Sequence, residues 1–141
     1  MLAERVIMLI RTAQMGDMDI LKEYDHHISA KELENSIHLN RIYIIEECGK
    51  LTGWLRYNLF WDSIPFVNML YVLDGNRGKG FGKLLVKYWE SQMKELNYKE
   101  VMTSTQSDEC AQHFYYSLGY SAIGGFLRDK DAFELILSKK L

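Results

Sequence analysis

Three glycines alternate with basic residues between positions 77 and 83, a pattern suited to binding a pyrophosphate. The run reads Arg-Gly-Lys-Gly-Phe-Gly-Lys and lies between an apolar segment and an amphipathic one. Glycine adopts positive φ and lets a backbone approach a ligand closely, and the first N–H groups of a helix attract anions. We therefore expect the N–H groups of Gly78 to Lys83 to converge on a diphosphate. Lys79 and Lys83 would add charge, and Lys87 either joins them or is merely solvated.

Residue spacing argues against two common nucleotide-binding loops. A Walker loop ending in Gly82-Lys83 would need a glycine at position 77 and a hydroxyl residue at position 84, where the chain has arginine and leucine. A dinucleotide fingerprint beginning at Gly78 would need a glycine at position 83, where the chain has lysine. The pyrophosphate predicted here therefore belongs to another kind of ligand.

Composition predicts one compact domain over residues 1–141. Of the 141 residues 48% are hydrophobic and 13% aromatic, and there is one proline. The net charge of −2 does not favour nucleic-acid binding, no apolar run is as long as a membrane span, and the N-terminal segment lacks a signal-peptide pattern. Cys48 and Cys110 make no disulfide framework, which fits a reducing compartment. We expect a cytoplasmic protein with no nucleic-acid or membrane partner.

Hydrophobic periodicity and turn residues predict an α+β fold. Strands are expected at Val6–Thr12, Arg41–Glu47, Leu51–Phe60, Ile64–Leu73, Val101–Thr105, Tyr120–Phe126 and Ala132–Ser138. This order favours a mostly antiparallel, twisted sheet of about six to seven strands with one β-α-β crossover and helices on both faces, a three-layer arrangement.

Capping residues mark four helices. The first follows Asp17, and the second begins at Ser29, which has capping-box spacing. The fourth is capped by Ser107 or Asp108 and ends at Leu118, with Gly119 beyond it. The third begins at Phe81, ends near Asn97, and carries an apolar stripe of Phe81, Leu84, Leu85, Tyr88, Met93 and Leu96.

Two motifs resemble the GNAT superfamily of N-acetyltransferases. Arg77, Gly80 and Gly82 satisfy its coenzyme A signature, Arg-x-x-Gly-x-Gly. The segment from Ala111 to Tyr120 is similar to the later Ala-x-x-Phe-Tyr-x-x-x-Gly-aromatic helix of the family, one helix and one strand downstream. The resemblance spans essentially the whole chain and implies an acyl-CoA N-acyltransferase-like fold.

Membership would imply acetyl-CoA as cosubstrate and no metal. Leu70, Tyr71 and Val72 would lend backbone groups to the pantetheine arm. Asp108 stands where many relatives have an asparagine near the coenzyme. The coenzyme-binding residues implied in this way are Leu70, Tyr71, Val72, Arg77, Gly78, Lys79, Gly80, Phe81, Gly82, Lys83 and Asp108.

The resemblance also implies catalytic roles. Tyr115 matches the position that protonates the departing thiolate in many members of the family, and its alternative role is that of a packed aromatic. No strand carboxylate is evident as a base, so Asn68 is expected to orient a water that takes the proton of the amine. Other polar residues stay open in that role: Thr103, Thr105, Glu46, Glu47 and Asp62. A covalent route through Cys110 is disfavoured because no base partner is evident for it.

The expected function is acetyl transfer from acetyl-CoA to a primary amine of a small molecule or a peptide, by direct attack in a ternary complex. A homodimer is compatible with this function. The alternative is a non-catalytic acyl-CoA-binding sensor of the same fold. Aromatic residues with Asp62 among them are expected to divide between the core and a cleft for an apolar or aromatic amine, namely Trp54, Tyr57, Phe60, Trp61 and Phe66.

Overall fold

The computed structural model describes residues 7–141, and Val6, the first residue of the first predicted strand, lies outside them. The strands are β1 (Met8–Thr12), β2 (Ile42–Glu47), β3 (Lys50–Phe60), β4 (Ile64–Val72), β5 (Glu100–Gln106), β6 (Ser121–Phe126) and β7 (Glu134–Lys140). The helices are α1 (Met18–Tyr24), α2 (Ala30–His38), α3 (Phe81–Glu95) and α4 (Ala111–Ser117), with a 3₁₀ turn at Met15–Asp17. No helix within residues 7–141 is both long and apolar enough to cross a membrane.

The strands form one seven-stranded sheet in the order β1-β2-β3-β4-β5-β7-β6. The pairs β1–β2, β2–β3, β5–β7 and β6–β7 are antiparallel. Strands β4 and β5 are parallel, in register at Phe66↔Met102 and Val67↔Thr103, and α3 connects them. The predicted α+β class, strand number and single crossover are confirmed.

The predicted cap of α4 is wrong. Its N-cap is Cys110, whose side chain makes no capping hydrogen bond. The backbone N–H of Ser107 donates instead to the carbonyl of Phe133 at 2.8 Å, and the side-chain amide of Gln112 donates to the carbonyl of Ser107 at 2.7 Å. These bonds keep residues 107–110 in a turn, so the helix begins three residues after Ser107.

The apolar stripe predicted for α3 is partly wrong. Leu84 and Leu96 are exposed, whereas Val86 and Trp89 are fully buried. Because a helix turns 100° per residue, the buried face is centred between the two predicted edges. It consists of Phe81, Leu85, Val86, Trp89 and Met93.

The chain divides into two compact units. The first contains the described residues up to Tyr57 together with Met69–Tyr88. Within it, helices α1 and α2 cover one face of β2 and β3, burying a cluster of Leu21, Leu33, Ile37, Ile42, Ile44 and Trp54. Tyr43 lies between Ile42 and Ile44 and points to the other face, where its ring meets that of Tyr88 in α3 at 5.3 Å. The first unit therefore has helices on both faces of its strands.

Local capping and one buried ion pair fix the helices of the first unit. Ser29 accepts a hydrogen bond from the N–H of Glu32 at 3.2 Å, which confirms the predicted start of α2. Asp17 precedes α1 as predicted but does not cap it. Beyond the end of α1, Asp25 accepts a 2.9 Å hydrogen bond from Nε of Arg56, and both side chains are almost fully buried.

The second unit comprises Asn58–Asn68 and Trp89–Leu141. It contains β5, β6, β7, α4 and the first half of β4. Buried residues from the strands and the helical segments include Val67, Val101, Met102, Tyr115 and Leu137. The expectation that residues 1–141 form one domain stays a prediction.

Candidate active site

The glycine-rich segment leads directly into α3 in the first unit. The N–H of Leu84 donates to the carbonyl of Gly80 at 3.0 Å, which makes Gly80 the N-cap of the helix. The N–H groups of Phe81, Gly82 and Lys83 therefore precede the first intrahelical bond. With no side chain, Gly80 cannot cap them itself, so these donors can point at an anion.

Backbone conformation, not crowding, is the reason for glycine in this segment. Gly78 has φ of 76° and Gly80 has φ of 86°, values that side chains rarely adopt. A Cβ at either position would meet no atom within 4 Å. The space beside the loop is thus open to a ligand. Lys79 and Lys83 are exposed, while the side chain of Phe81 is buried and anchors the first turn.

Arg77 folds back onto the end of β4. Its Nε donates to the carbonyl of Val72 at 2.9 Å, and its guanidinium lies 5.2 Å from the centre of the Tyr71 ring. It also forms an exposed ion pair with Asp74 at 3.2 Å. In this arrangement Arg77 braces the loop, a role that the sequence pattern did not predict. The Tyr71 ring packs at 4.9 Å from that of Trp54, so among the three predicted pantetheine residues it is tied to the core.

Tyr115 is positioned in the second unit by the way α4 ends. The N–H of Tyr120 donates to the carbonyl of Tyr115, and the N–H of Gly119 donates to that of Tyr116, both at 3.1 Å. This pair of bonds, with Gly119 at φ of 95°, is a Schellman motif. The usual apolar contact between its ends is an edge-to-face contact of the Tyr115 and Tyr120 rings at 5.2 Å. The predicted role of Gly119 after the helix is confirmed.

The Tyr115 hydroxyl is buried, and only 4% of the residue is exposed. It is hydrogen-bonded to Thr103, whose own hydroxyl donates to the carbonyl of Val67 at 3.1 Å. Since Thr103 gives its one proton to Val67, it can accept the proton of Tyr115. Burial raises the pKa of Tyr115 to about 12, and the bond to Thr103 opposes that rise only in part. The phenol is therefore neutral at ordinary pH and can donate a proton, not accept one.

A buried polar cluster holds Tyr120. Its hydroxyl donates to the carboxylate of Glu90 at 2.8 Å, and Lys139 donates to both oxygens of the same carboxylate at 3.0 and 3.2 Å. Burial and the adjacent negative charge raise the pKa of Tyr120. Sequence reasoning missed this cluster. The only local signal was the aromatic residue that ends the Gly-aromatic motif.

The remaining candidates of the second unit differ in placement. Asn68 is exposed on β4 and lines a cavity of about 370 Å³ that Ser104 also lines. The hydroxyl of Thr105 is buried and has no hydrogen-bond partner among the described residues. Asp108 is exposed in the turn before α4, and Cys110 is a free, exposed thiol.

Carboxylates considered as bases have other surroundings. Glu46 and Asp17 both bind Arg11, at 2.7 and 2.8 Å, and the hydrogen bond from Arg11 lowers the pKa of Asp17. Asp62 is exposed in the turn after β3, at φ of 60°. Within residues 7–141, no three His, Cys, Asp or Glu side chains form a group that could hold a metal ion.

Solved structures with the same architecture are acetyltransferases by their descriptions. Ard1 from Thermoplasma volcanium superposes with a TM-score of 0.82 at 13% identity, over 95% of this chain and 97% of the other. The PaiA N-acetyltransferase from Thermoplasma acidophilum, solved in complex with coenzyme A, gives 0.78 at 19% identity, over 96% and 99%. A GNAT-family acetyltransferase from Bacillus cereus gives 0.75 at 22% identity, over 95% and 97%. These likenesses establish the acyl-CoA N-acyltransferase-like fold.

A search of curated proteins found no match. The sequence model of the acetyltransferase (GNAT) family matches residues 9–120. This range includes the first strand, the glycine-rich segment, and the whole of α4 through Tyr120. The chain belongs to the GNAT family of acetyltransferases.

Proposed function

We propose that this protein transfers the acetyl group of acetyl-CoA to a primary amine of a small molecule or a peptide, by direct attack in a ternary complex. The observation that carries the proposal is the start of α3, where three N–H groups precede the first intrahelical bond beside Lys79 and Lys83. Such a helix start binds phosphate through its donors and its dipole. The open space beside Gly78 and Gly80 fits the diphosphate of coenzyme A. We place the reaction in the cytoplasm, carried out by a monomer or a homodimer.

We assign Tyr115 the role of general acid. Acetyl-CoA, when bound, supplies a thioester whose carbonyl carbon the amine attacks. The N–C bond forms as the C–S bond breaks, the nitrogen loses a proton, and the sulfur must gain one. The Tyr115 hydroxyl is suited to that donation because burial keeps it protonated, with a pKa of about 12. Thr103 holds the hydroxyl in place from the inner side through their hydrogen bond.

We assign Asn68 the orientation of the water that accepts the amine proton. Its side-chain amide offers both a donor and an acceptor, as a bound water requires, and it faces the cavity shared with Ser104. Thr105 is the other candidate, because its buried hydroxyl has no partner among the described residues. Glu46 is engaged by Arg11, which argues against it as the base.

The second candidate function is an acyl-CoA-binding sensor. It is favoured by the burial of the Tyr115 hydroxyl against Thr103, which a purely structural tyrosine would also show. Thiol release from acetyl-CoA over a panel of primary amines separates the two functions. An enzyme releases thiol only when an acceptor is present. A sensor binds coenzyme A and shows no acceptor-dependent release.

The loop is tested by a Gly80→Ala variant with Gly49→Ala as matched control. Gly49 has φ of 79° in the β2–β3 turn and, like Gly80, has no atom within 4 Å of a Cβ position. Both variants should lose about 1 kcal/mol of folding free energy for the same conformational reason. Only Gly80→Ala should weaken coenzyme A binding in a calorimetric titration, by at least about threefold. Equal affinities in the two variants would exclude the loop as the diphosphate site.

Tyr115→Phe tests the catalytic assignment. It keeps the ring packed against Tyr120 and removes the hydroxyl, so turnover should fall by about 10²-fold, within the range of general acid–base catalysis. Coenzyme A affinity should not change. Tyr116→Phe, one position along the same helix and pointing elsewhere, is the control. Near-normal turnover of Tyr115→Phe would remove this residue from the mechanism.

A further inference from the structure

Two adjoining cavities form one groove on the second unit. One, of about 350 Å³, is lined by Trp61, Ile64, Met102, Ile123 and Glu100 among others. The other, of about 370 Å³, is lined by Phe66, Phe126, Asn68 and Ser104 among others. Phe60 and Ile136 line both cavities. We call this surface the apolar groove. Sites of this volume hold small organic molecules.

The groove is formed by the face of β5 opposite to Tyr115. Thr103 contacts Tyr115, and side chains alternate along a strand, so Met102 and Ser104 point to the other face. The β4 residues Phe66 and Asn68 lie on that same face, since Phe66 is in register with Met102. The proposed acid and the groove are thus on opposite faces of one strand.

Aromatic rings dominate one wall of the groove. The ring of Phe60 stacks with that of Phe66 at 5.9 Å and lies 4.8 Å from that of Trp61. Trp61 is 79% exposed and Phe126 is 48% exposed. Large apolar side chains left open to water beside a cavity favour an apolar occupant, because contact with it removes them from water.

Polar groups are confined to particular parts of the groove. Asn68 and Ser104 lie in one cavity, and the carboxylate of Glu100 lies in the other. Among the described lining residues there is no lysine or arginine. Lys140 approaches Glu100 at 3.6 Å from an exposed position. An acceptor carrying its own carboxylate would therefore meet Glu100 and no lining cation.

We propose that the apolar groove binds the aromatic or branched aliphatic body of the amine acceptor, with its amino group at Asn68 and Ser104. This proposal rests on the proposed function, since it takes the amine to react beside Asn68. It assigns the acceptor to amines that are aromatic or branched aliphatic and lack a carboxylate. Of the aromatic residues expected to divide between core and cleft, Phe60, Trp61 and Phe66 line this groove, whereas Trp54 and Tyr57 are buried in the first unit. Asp62 is not among its described lining residues, and Glu100 is the carboxylate there.

Acceptor specificity tests the proposal. Thiol release is measured with phenethylamine, isoamylamine, ethanolamine and β-alanine at fixed acetyl-CoA. We expect kcat/KM for phenethylamine and isoamylamine to exceed that for ethanolamine by at least about tenfold, and β-alanine to be the poorest acceptor. Phe126→Ala should reduce the preference for phenethylamine to less than about threefold. Leu127→Ala, an exposed neighbour outside the described lining, should leave it unchanged. Glu100→Gln should improve β-alanine selectively.

The outcomes distinguish the two proposals. Coenzyme A binding without thiol release for any amine would overturn the proposed function. Release with all four amines at similar efficiency, or an unchanged preference in Phe126→Ala, would overturn the groove assignment and leave the proposed function standing. Sedimentation of wild type and Phe126→Ala adds a further test. A dimer that dissociates in the variant would show that a second copy covers the groove, and would also overturn the assignment.

Discussion

Replacing Tyr120 with phenylalanine removes one hydroxyl from the buried cluster and little else. The hydroxyl donates to the Glu90 carboxylate at 2.8 Å, and Tyr120 is 3% exposed. Phenylalanine keeps the ring and its contact with Tyr115, so the packing change is small. A hydrogen bond to a charged group contributes about 1.5–3 kcal/mol, and an ion left with fewer partners in the interior is costly. We expect Tyr120→Phe to lower the free energy of unfolding by about 2 kcal/mol.

Urea unfolding at pH 7, followed by circular dichroism, measures this change. Two kcal/mol in a chain of this length corresponds to a fall in Tm of about 6–8 °C. Tyr116→Phe is the matched control. Its hydroxyl belongs to an exposed side chain of the same segment, and its loss should change stability by less than about 0.5 kcal/mol.

The same pair of proteins has a predicted pH dependence. Burial and Glu90 raise the pKa of Tyr120 above its ordinary value of 10.0. A raised folded-state pKa gives a stability that is complete below pH 10 and is lost as the pH rises, because the unfolded chain releases the proton first. The difference between wild type and Tyr120→Phe should therefore shrink above about pH 10. A difference below about 0.5 kcal/mol at pH 7 would refute the role assigned to the hydroxyl.

Three further predictions concern stability. Asp25→Asn leaves Arg56 buried without its carboxylate and should cost about 3–5 kcal/mol in urea unfolding; a loss below 1 kcal/mol would contradict the importance of the pair. Since Arg11 lowers the pKa of Asp17 below 3.8, the stabilisation should be complete above about pH 5 and lost as the pH falls below the folded-state pKa. The stability difference between wild type and Asp17→Asn should therefore be larger at pH 7 than at pH 2.5, and a constant difference would exclude this linkage. Gly119→Ala places a side chain at φ of 95° and should lower stability by about 1–2 kcal/mol, whereas an unchanged urea midpoint would argue against strain there.

Features encoded over a few neighbouring residues could be predicted from the sequence. The start of α3 at Phe81 follows from glycines that adopt positive φ and from the helix pattern after them. The start of α2 follows from Ser29, whose hydroxyl binds an N–H three residues away. The Gly119 position after α4 is local in the same way. Such signals need no knowledge of the rest of the fold, so these predictions were confirmed.

Errors arose where distant residues compete for the same groups. The predicted cap of α4 failed because Phe133 binds the backbone of Ser107. Asp17 precedes α1 as expected, yet its carboxylate is taken by Arg11 on β1. A capping residue has one preferred local partner, but a bidentate guanidinium is a stronger one. The sequence alone cannot rank the two without knowing which strand lies nearby.

By itself, the sequence determined the element order, the glycine-rich start of α3 and the resemblance to the family, because each depends on residue types at short, fixed spacing. Only the tertiary structure decided which aromatic residues are core and which line the apolar groove, since strand register sets the face of each side chain. It also decided that Arg77 braces the loop by bonding back to Val72. The support of Tyr115 through Tyr120, Glu90 and Lys139 joins residues 30 and 49 positions apart. No local pattern encodes contacts at that separation; the packing of helix and strands creates them.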